Sequence, residues 1–482
     1  MKKLLFVFKR PHVMLLIVAM LLLCSCASIG ASNQSKNAAQ YGMGNPYLPL
    51  WEHLPDGEPR VFEDPDNPGK YRIYIIGSHD VRATSYCGPD VRAWSAPVED
   101  LSNWRDEGPI FTYKVGNQWD TMYAPDLVEV KGKDGKKVYY LYPHSTSRNP
   151  MVAKGDRPDG PFTPINMTED GTRAIQGSIM GFDPAVYIDY ITDQSDPDYG
   201  IGFRAYGYWG YQRSSAGQLD QNTMYSLRPG TQAIDRFIPD VRGGGRAGGR
   251  AGGRRGAAQP EAQPAVESNP EPVNYPYLFP GENPASFSFF EAASIRKIGN
   301  KYVWIYSGSS GPEYGLGGAT ATLRYAYGDS PLGPWKSGGV LVDARAVVPT
   351  QDGTRLQTTF SGHNTHGSIE FMNDQYYVFY HRAPRGFSSA RQPMVAPVHV
   401  QNDDKTVAEG GKITIRGYDP YAKDNVWTAK SQANEYTGAE VTSEGFNIFG
   451  LNPYLYYSAG YACYLSNQQV MQDSWDNWDN NM

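Results

Sequence analysis

The stretch Gly299-Asn-Lys-Tyr-Val-Trp-Ile-Tyr-Ser-Gly308 decides how the rest of the chain is read. A Gly-Asn turn and one lysine lead into five consecutive aromatic or β-branched residues, Tyr302 to Tyr306. Residues of that kind behind a turn read as a strand leaving a hairpin. Four relatives of the pattern exist: GKYRIYIIGS from Gly69, GKKVYYLYPH from Gly135, GFRAYGYWGY from Gly202 and NDQYYVFYHR from Asn373. The five starts lie 66, 67, 97 and 74 residues apart. A second signature, RPDGPF from Arg157 and SPLGPW from Ser330, follows two of them. Almost no stretch carries a sustained helical period with caps.

Five strand-rich units of about 65 residues predict an all-β chain, a propeller of five four-stranded blades. The one long interval has a visible cause. Between Arg242 and Pro272 lies a Gly/Arg tract that turns into Pro, Glu and Ala, a low-complexity insert between blades three and four. The propeller is expected over residues 45–405. Residues 406–482 read as a short β-rich extension, the fragment of an accessory domain, with a tail too polar to pack.

The first residues read as a targeting segment. Lys2, Lys3, Lys9 and Arg10 precede an apolar run from Val13 to Leu23, too short for an ordinary membrane-spanning helix. The run ends in Leu23-Cys24-Ser25-Cys26, which resembles a bacterial lipobox. On that resemblance residues 1–26 are a lipoprotein signal, Cys26 carries the lipid, and residues 27–44 are a tether. The expected location is the cell envelope, at the outer membrane, with membrane contact through the anchor alone. Loss of the signal takes the net charge from −6 to −10, which argues against nucleic acid as a partner and fits a neutral polyhydroxylated one. Of the 4 cysteines, Cys87 and Cys463 are left beside Cys26, too few for a disulfide framework or a cysteine-rich metal site.

Chemistry is sought where carboxylates sit in apolar strand contexts, because burial shifts their pKa values. Glu58 precedes Pro59 in GEPRVF, Asp183 precedes a proline in GFDPAVYID, and Glu291 follows Phe289 and Phe290 in SFSFFEAASIRK. They belong to blades one, three and four, each at the start of an innermost strand. Such strands line a propeller's central channel, so the three acids can converge at one mouth.

From Asn45 to Gln401 the chain resembles glycoside hydrolase family 43, five-bladed propeller enzymes acting on xylosides and arabinosides. NPYLP and GEPRVF, YAPDLVEV and YYLYPH, GFDPAVYID, FFEAASIRK and YVWIYS, and SGHNTHGSIE and YYVFYHR carry the resemblance in order. It implies cleavage of arabinofuranosyl or xylosyl linkages in plant polysaccharides with inversion. Water attacks with help from a carboxylate base while a carboxylic acid protonates the leaving oxygen. Glu291 matches the acid, and Asp183 matches the third carboxylate that orients it. The base is expected at Glu58, one methylene longer than the family's aspartate, with Asp56 as the competing choice. A weakened site that binds glycans without cleaving them stays open, as does a retaining propeller hydrolase of another class. His366 matches a histidine that faces the channel near a structural calcium, and His363 competes for that place. Tyr86, Tyr123, Tyr208 and Trp209 are candidates for a sugar-stacking wall, and Arg382 for a donor to sugar hydroxyls. Asp126 matches an element that is usually structural.

Overall fold

The computed structural model describes residues 46–49, 51–81, 86–101, 103–148, 150–240, 275–310, 319–344, 347–349, 356–358, 364–383, 388–417 and 441–442. The signal and tether with Cys26, the insert at 242–272, His363 and most of the C-terminal extension lie outside these residues.

Five antiparallel sheets of four strands follow one another along the chain. Blade one is built from Glu58–Glu63, Tyr71–Ser78, Asp90–Pro97 and Arg105–Thr112. Blade two uses Asp126–Lys131, Lys137–Tyr142, Ala153–Gly155 and Thr163–Pro164. Blade three uses Ala185–Tyr190, Phe203–Trp209, Ser215–Leu219 and Ile234–Asp235. Phe289–Ile298, Lys301–Ser310, Ala319–Gly328 and Trp335–Asp343 make blade four, which Val441–Thr442 extends in parallel. Gly367–Met372, Gln375–Arg382, Gln392–Asn402 and Ile413–Arg416 make blade five. The last of these strands falls beyond residue 405, where the sequence reading ended the propeller. Each blade's first strand touches the first strands of the blades before and after it, and blade five meets blade one, so the ring is closed.

The hairpin pattern explains the packing. Side chains alternate along a strand, so one strand feeds two different interfaces. In Tyr302–Tyr306 the aromatic residues Tyr302, Trp304 and Tyr306 face blade three, while Val303 and Ile305 face blade five. In blade one, Tyr74 and Ile76 face blade two, and Ile73 and Ile75 face blade five. The result is one apolar cluster per interface, five in all. No described strand crosses from blade five to blade one. That seam is held by packing, with Tyr47 edge-on to Phe379 at 5.7 Å, and by the buried ion pairs described below.

Trp304 is fully buried and touches Tyr208, Phe237, Phe289 and Trp335 across the interface of blades three and four. Trp304→Ala is expected to cost about 3–5 kcal/mol of stability, because a cavity is left as well as transfer energy lost. Chemical denaturation of the purified variant checks this.

Candidate active site

The inner strand of blade one starts at the mouth and carries alternate side chains towards the axis. Asp56 lies just ahead of this strand, in a bend with φ 57°, and Glu58 is the strand's first residue. Gly57 between them lies so close to the neighbouring strand that a Cβ there would come within 2.7 Å of Ile75 Cγ2.

Glu58 sits in a buried charge network. Ser294 and Arg296 donate to its Oε1 at 2.8 and 2.9 Å, and Arg60 approaches at 3.3 Å. Arg60 also bridges to Asp126 at 2.7 Å, and Arg296 to Glu370 at 3.4 Å. Asp126 in turn accepts the Val186 N–H at 2.7 Å. All five inner strands thus contribute to one network, and Glu58 is 1% exposed within it. Burial works against its charge, yet Arg296 and Arg60 hold its carboxyl below the usual range.

The mouth holds a different set. Asp56 accepts from Ser78 Oγ and from Arg391 Nη1 at 3.1 and 3.2 Å, and its own N–H donates to His381 Nδ1 at 2.9 Å. Burial pushes the Asp56 carboxyl up, but Arg391, His381, His366 and Ser78 outweigh it and bring it to about 2. Arg391 is itself fully buried, paired also with Asp80 at 2.8 Å, and lies 4.0 Å from the centre of the Tyr86 ring. The Tyr86 hydroxyl accepts from Arg391 at 3.2 Å and from Asn364 Nδ2 at 3.0 Å.

Asp183 and Glu291 face the opposite conditions. Burial, with the Asp56 charge, pushes Asp183 up to about 7. Burial, then Asp183 and Asp56, push Glu291 up to about 8. Asn364 donates to Glu291 Oε1 at 3.0 Å, and His144 Nδ1 lies 2.9 Å from Asp183 Oδ1. Burial takes His144 down to about 3, so that imidazole is neutral and brings no cation to Asp183. Glu291 is aimed by a distortion of its strand. The pairing register slips on both sides of it, and Ala292 has φ 52°. Bulges of this kind redirect a side chain. Asp56, Asp183 and His144 also have positive φ, at 57°, 45° and 42°. Backbone held so far from its ordinary wells marks sites where geometry is set by the surroundings.

The structure therefore brings Asp56, Asp183 and Glu291 together and gives Glu58 to the network below them. Tyr86 and Tyr123 flank the mouth, their rings 5.8 Å apart and edge to face. Tyr208 and Trp209 do not form a wall beside them. Tyr208 is fully buried between blades three and four and donates its hydroxyl to the Pro331 carbonyl at 2.7 Å. Trp209 packs in the apolar cluster between blades two and three, over Gly181, where a Cβ would meet the indole at 2.7 Å. Arg382 is buried and donates to Gln392 Oε1 at 3.0 Å. Its neighbour His381, one step along the strand and so on the other face, is the residue that meets Asp56.

His366 is buried 4.0 Å from Asp56 Oδ1, and its Nδ1 has no hydrogen-bond partner among the described residues. Calcium prefers six to eight oxygens. Among the described residues no group of three His, Cys, Asp or Glu side chains is placed to hold a metal. The described residues thus offer calcium no set of protein oxygens, and the shell expected around an ion at His366 is mostly water. Arg391, His381, Asn364 and His144 were missed in the sequence. Asn364 and His144 lie in quoted motifs, but Arg391, in SARQPMVAPV, is preceded by nothing that marks it.

No family model matches the chain. It is 32% identical over 375 residues to a protein named "Xylosidase/arabinosidase" from Thermoclostridium stercorarium, covering 74% of this chain and 65% of that protein. A second "Xylosidase/arabinosidase", from Bacteroides ovatus, is 26% identical over 397 residues, 77% of this chain and 98% of that one. The chain thus spans just under two thirds of the first relative and nearly all of the second. Among solved structures, the "GH43_1 enzyme from Xanthomonas citri" matches at 21% identity and a TM-score of 0.47, over 80% of this chain and 99% of that chain.

Removing Glu58's charge leaves Arg60 and Arg296 without one of their shared partners. Glu58→Gln is expected to cost about 3–5 kcal/mol, as when one member of a buried ion pair is lost. Denaturant titration of the variant measures it.

Proposed function

We propose that the protein is a glycoside hydrolase of family 43, cleaving xylosyl or arabinofuranosyl linkages of plant polysaccharides with inversion. The observation that carries this reading is the split among carboxylates that meet at one mouth. Asp56 is held ionised beside Arg391, while Asp183 and Glu291, buried without a cation of their own, are held towards the protonated form. Two titratable groups driven apart in this way serve as base and acid. The similarity to the xylosidase/arabinosidase relatives supports the substrate class.

In this reading Asp56 takes the base's role in place of Glu58. An ionised carboxylate has about four lone-pair directions, and the described partners of Asp56 leave room for a water. As that water attacks the anomeric carbon, its proton passes to Asp56. Glu291 gives its proton to the glycosidic oxygen as the bond breaks. Asp183, next to Glu291, keeps that proton in place at neutral pH by disfavouring a second negative charge. Tyr86 and Asn364 fix the direction of the acid, Asn364 through its amide on Glu291 Oε1.

Asp56→Asn should lower kcat on xylo- or arabino-oligosaccharides by about 10²–10⁴-fold. Glu291→Gln should do the same on oligosaccharides but far less on aryl glycosides, whose leaving groups barely need a proton. Equal loss on both substrates would remove Glu291 from the acid's role. Proton NMR of the first-formed sugar anomer tests inversion directly, and oligosaccharide binding with no release of sugar by the wild type would refute hydrolysis.

The pH profile carries a separate prediction. The base must be unprotonated and the acid protonated, so activity should fall as pH rises through the Asp183–Glu291 pair, near neutral to mildly alkaline pH. The acid limb should lie well below pH 4, because Asp56 stays ionised to about 2. Assays of kcat/KM across pH, with Glu291→Gln losing the alkaline limb on aryl substrates, check both limbs.

A further inference from the structure

Outside the carboxylate cluster, three aromatic rings form a short ladder on the side of blades three and four. Phe182 immediately precedes Asp183, and Phe290 immediately precedes Glu291. Tyr211 bridges them, its ring centre 5.1 Å from that of Phe182 and 5.3 Å from that of Phe290. It lies in the loop between the Phe203–Trp209 and Ser215–Leu219 strands. That loop is fastened to both segments. The Gly210 N–H donates to the Phe182 carbonyl at 2.7 Å, and the Gln212 N–H to the Phe290 carbonyl at 2.6 Å. Gly210 has φ 144°, and a Cβ there would strike the Arg213 carbonyl oxygen at 2.0 Å, so its glycine is required for the turn. Tyr211 thus stands on a fastened turn with its ring packed between two others, yet it leaves 47% of its surface in solvent. The other side of the cluster is of a different kind: there Arg391, Asn364 and Tyr86 form a polar wall around Asp56 and Glu291.

A large ring held still and left half exposed is a binding platform, because it contacts a partner at little further cost in conformational entropy. The sides then follow from the chemistry. The acid faces the oxygen of the departing group, so whatever departs lies on the flank of Glu291, where Phe290 and Tyr211 stand. We propose that Tyr211, backed by Phe182 and Phe290, is the stacking platform for the sugar ring of the leaving group, and that it sets a preference for a glycosyl over a small alcohol leaving group. This rests on Glu291 being the proton donor.

The platform is tested by binding in Glu291→Gln, where cleavage does not interfere, alongside wild-type kinetics. In that background, titration calorimetry with a xylo- or arabino-disaccharide and with the corresponding monosaccharide reads the platform alone. Adding Tyr211→Ala should weaken disaccharide binding about tenfold and leave monosaccharide binding within about twofold, whereas Tyr211→Phe should restore the disaccharide. Equal weakening of both ligands, or none of either, overturns the platform even if the wild type is an active hydrolase. In otherwise wild-type protein, Tyr211→Ala should lower kcat/KM for the disaccharide and spare the methyl glycoside of the same sugar. Equal loss on the two overturns it as well, and inactivity of the wild type on every glycoside is a failure of the hydrolase reading, separate from the binding result.

Discussion

The pairing of Arg391 with Asp56 and Asp80 is the interaction on which the rest depends. Arg391 is fully buried, and a buried guanidinium is tolerated only where its charge is answered and its donors are used. Here Nη1 meets Asp56, Nε and Nη2 meet Asp80, and the cation lies over the Tyr86 ring. Arg391 belongs to blade five and both aspartates to blade one. The pair therefore ties the last blade to the first, alongside the Asp56 N–H on His381 and the Asn364 amide on Tyr86.

The same cation divides the acids. Among the described residues, the carboxylates of Asp56, Asp80, Asp183 and Glu291 share this region with the Arg391 guanidinium, while His144 and His381 are both pushed down to about 3 and stay neutral. His381 fits that state, since Nδ1 accepts the Asp56 N–H and Nε2 lies 2.9 Å from the Asn364 carbonyl, which only a protonated Nε2 satisfies. Asp56, which touches Arg391, keeps its charge. Asp183 and Glu291, without such contact, are left to burial and mutual repulsion, which favour the protonated form. Closing the ring and separating an ionised from a protonated carboxylate are thus two results of one placement.

Below the mouth, a second set of charges is spent on structure. Glu58, Arg60, Asp126, Arg296 and Glu370 come from four different blades and hold one another across the channel. Two carboxylates only two residues apart, Asp56 and Glu58, therefore live in separate electrostatic worlds. The first meets one arginine and the open mouth, the second two arginines and a serine hydroxyl.

The sequence by itself determined the strand-rich hairpins, their spacing and so the five blades, because alternation and turn residues are local properties. It also placed Asp183 and Glu291, since a carboxylate amid phenylalanines and alanines is costly anywhere and stands out as text. Only the tertiary structure separated the surroundings of Asp56 from those of Glu58, because these turn on Arg391 and Arg296, 335 and 238 residues away along the chain. It likewise decided the faces. Tyr208 and Trp209 differ by one step of a period-two strand and pack in two different blade interfaces, while of His381 and Arg382 it is His381 that meets Asp56. Tyr211 looked no different from the other tyrosines until two backbone hydrogen bonds fixed it between Phe182 and Phe290. Local pattern specifies which residues form strands, but which charge or ring a side chain meets is set by strands that the chain brings together only when the ring closes.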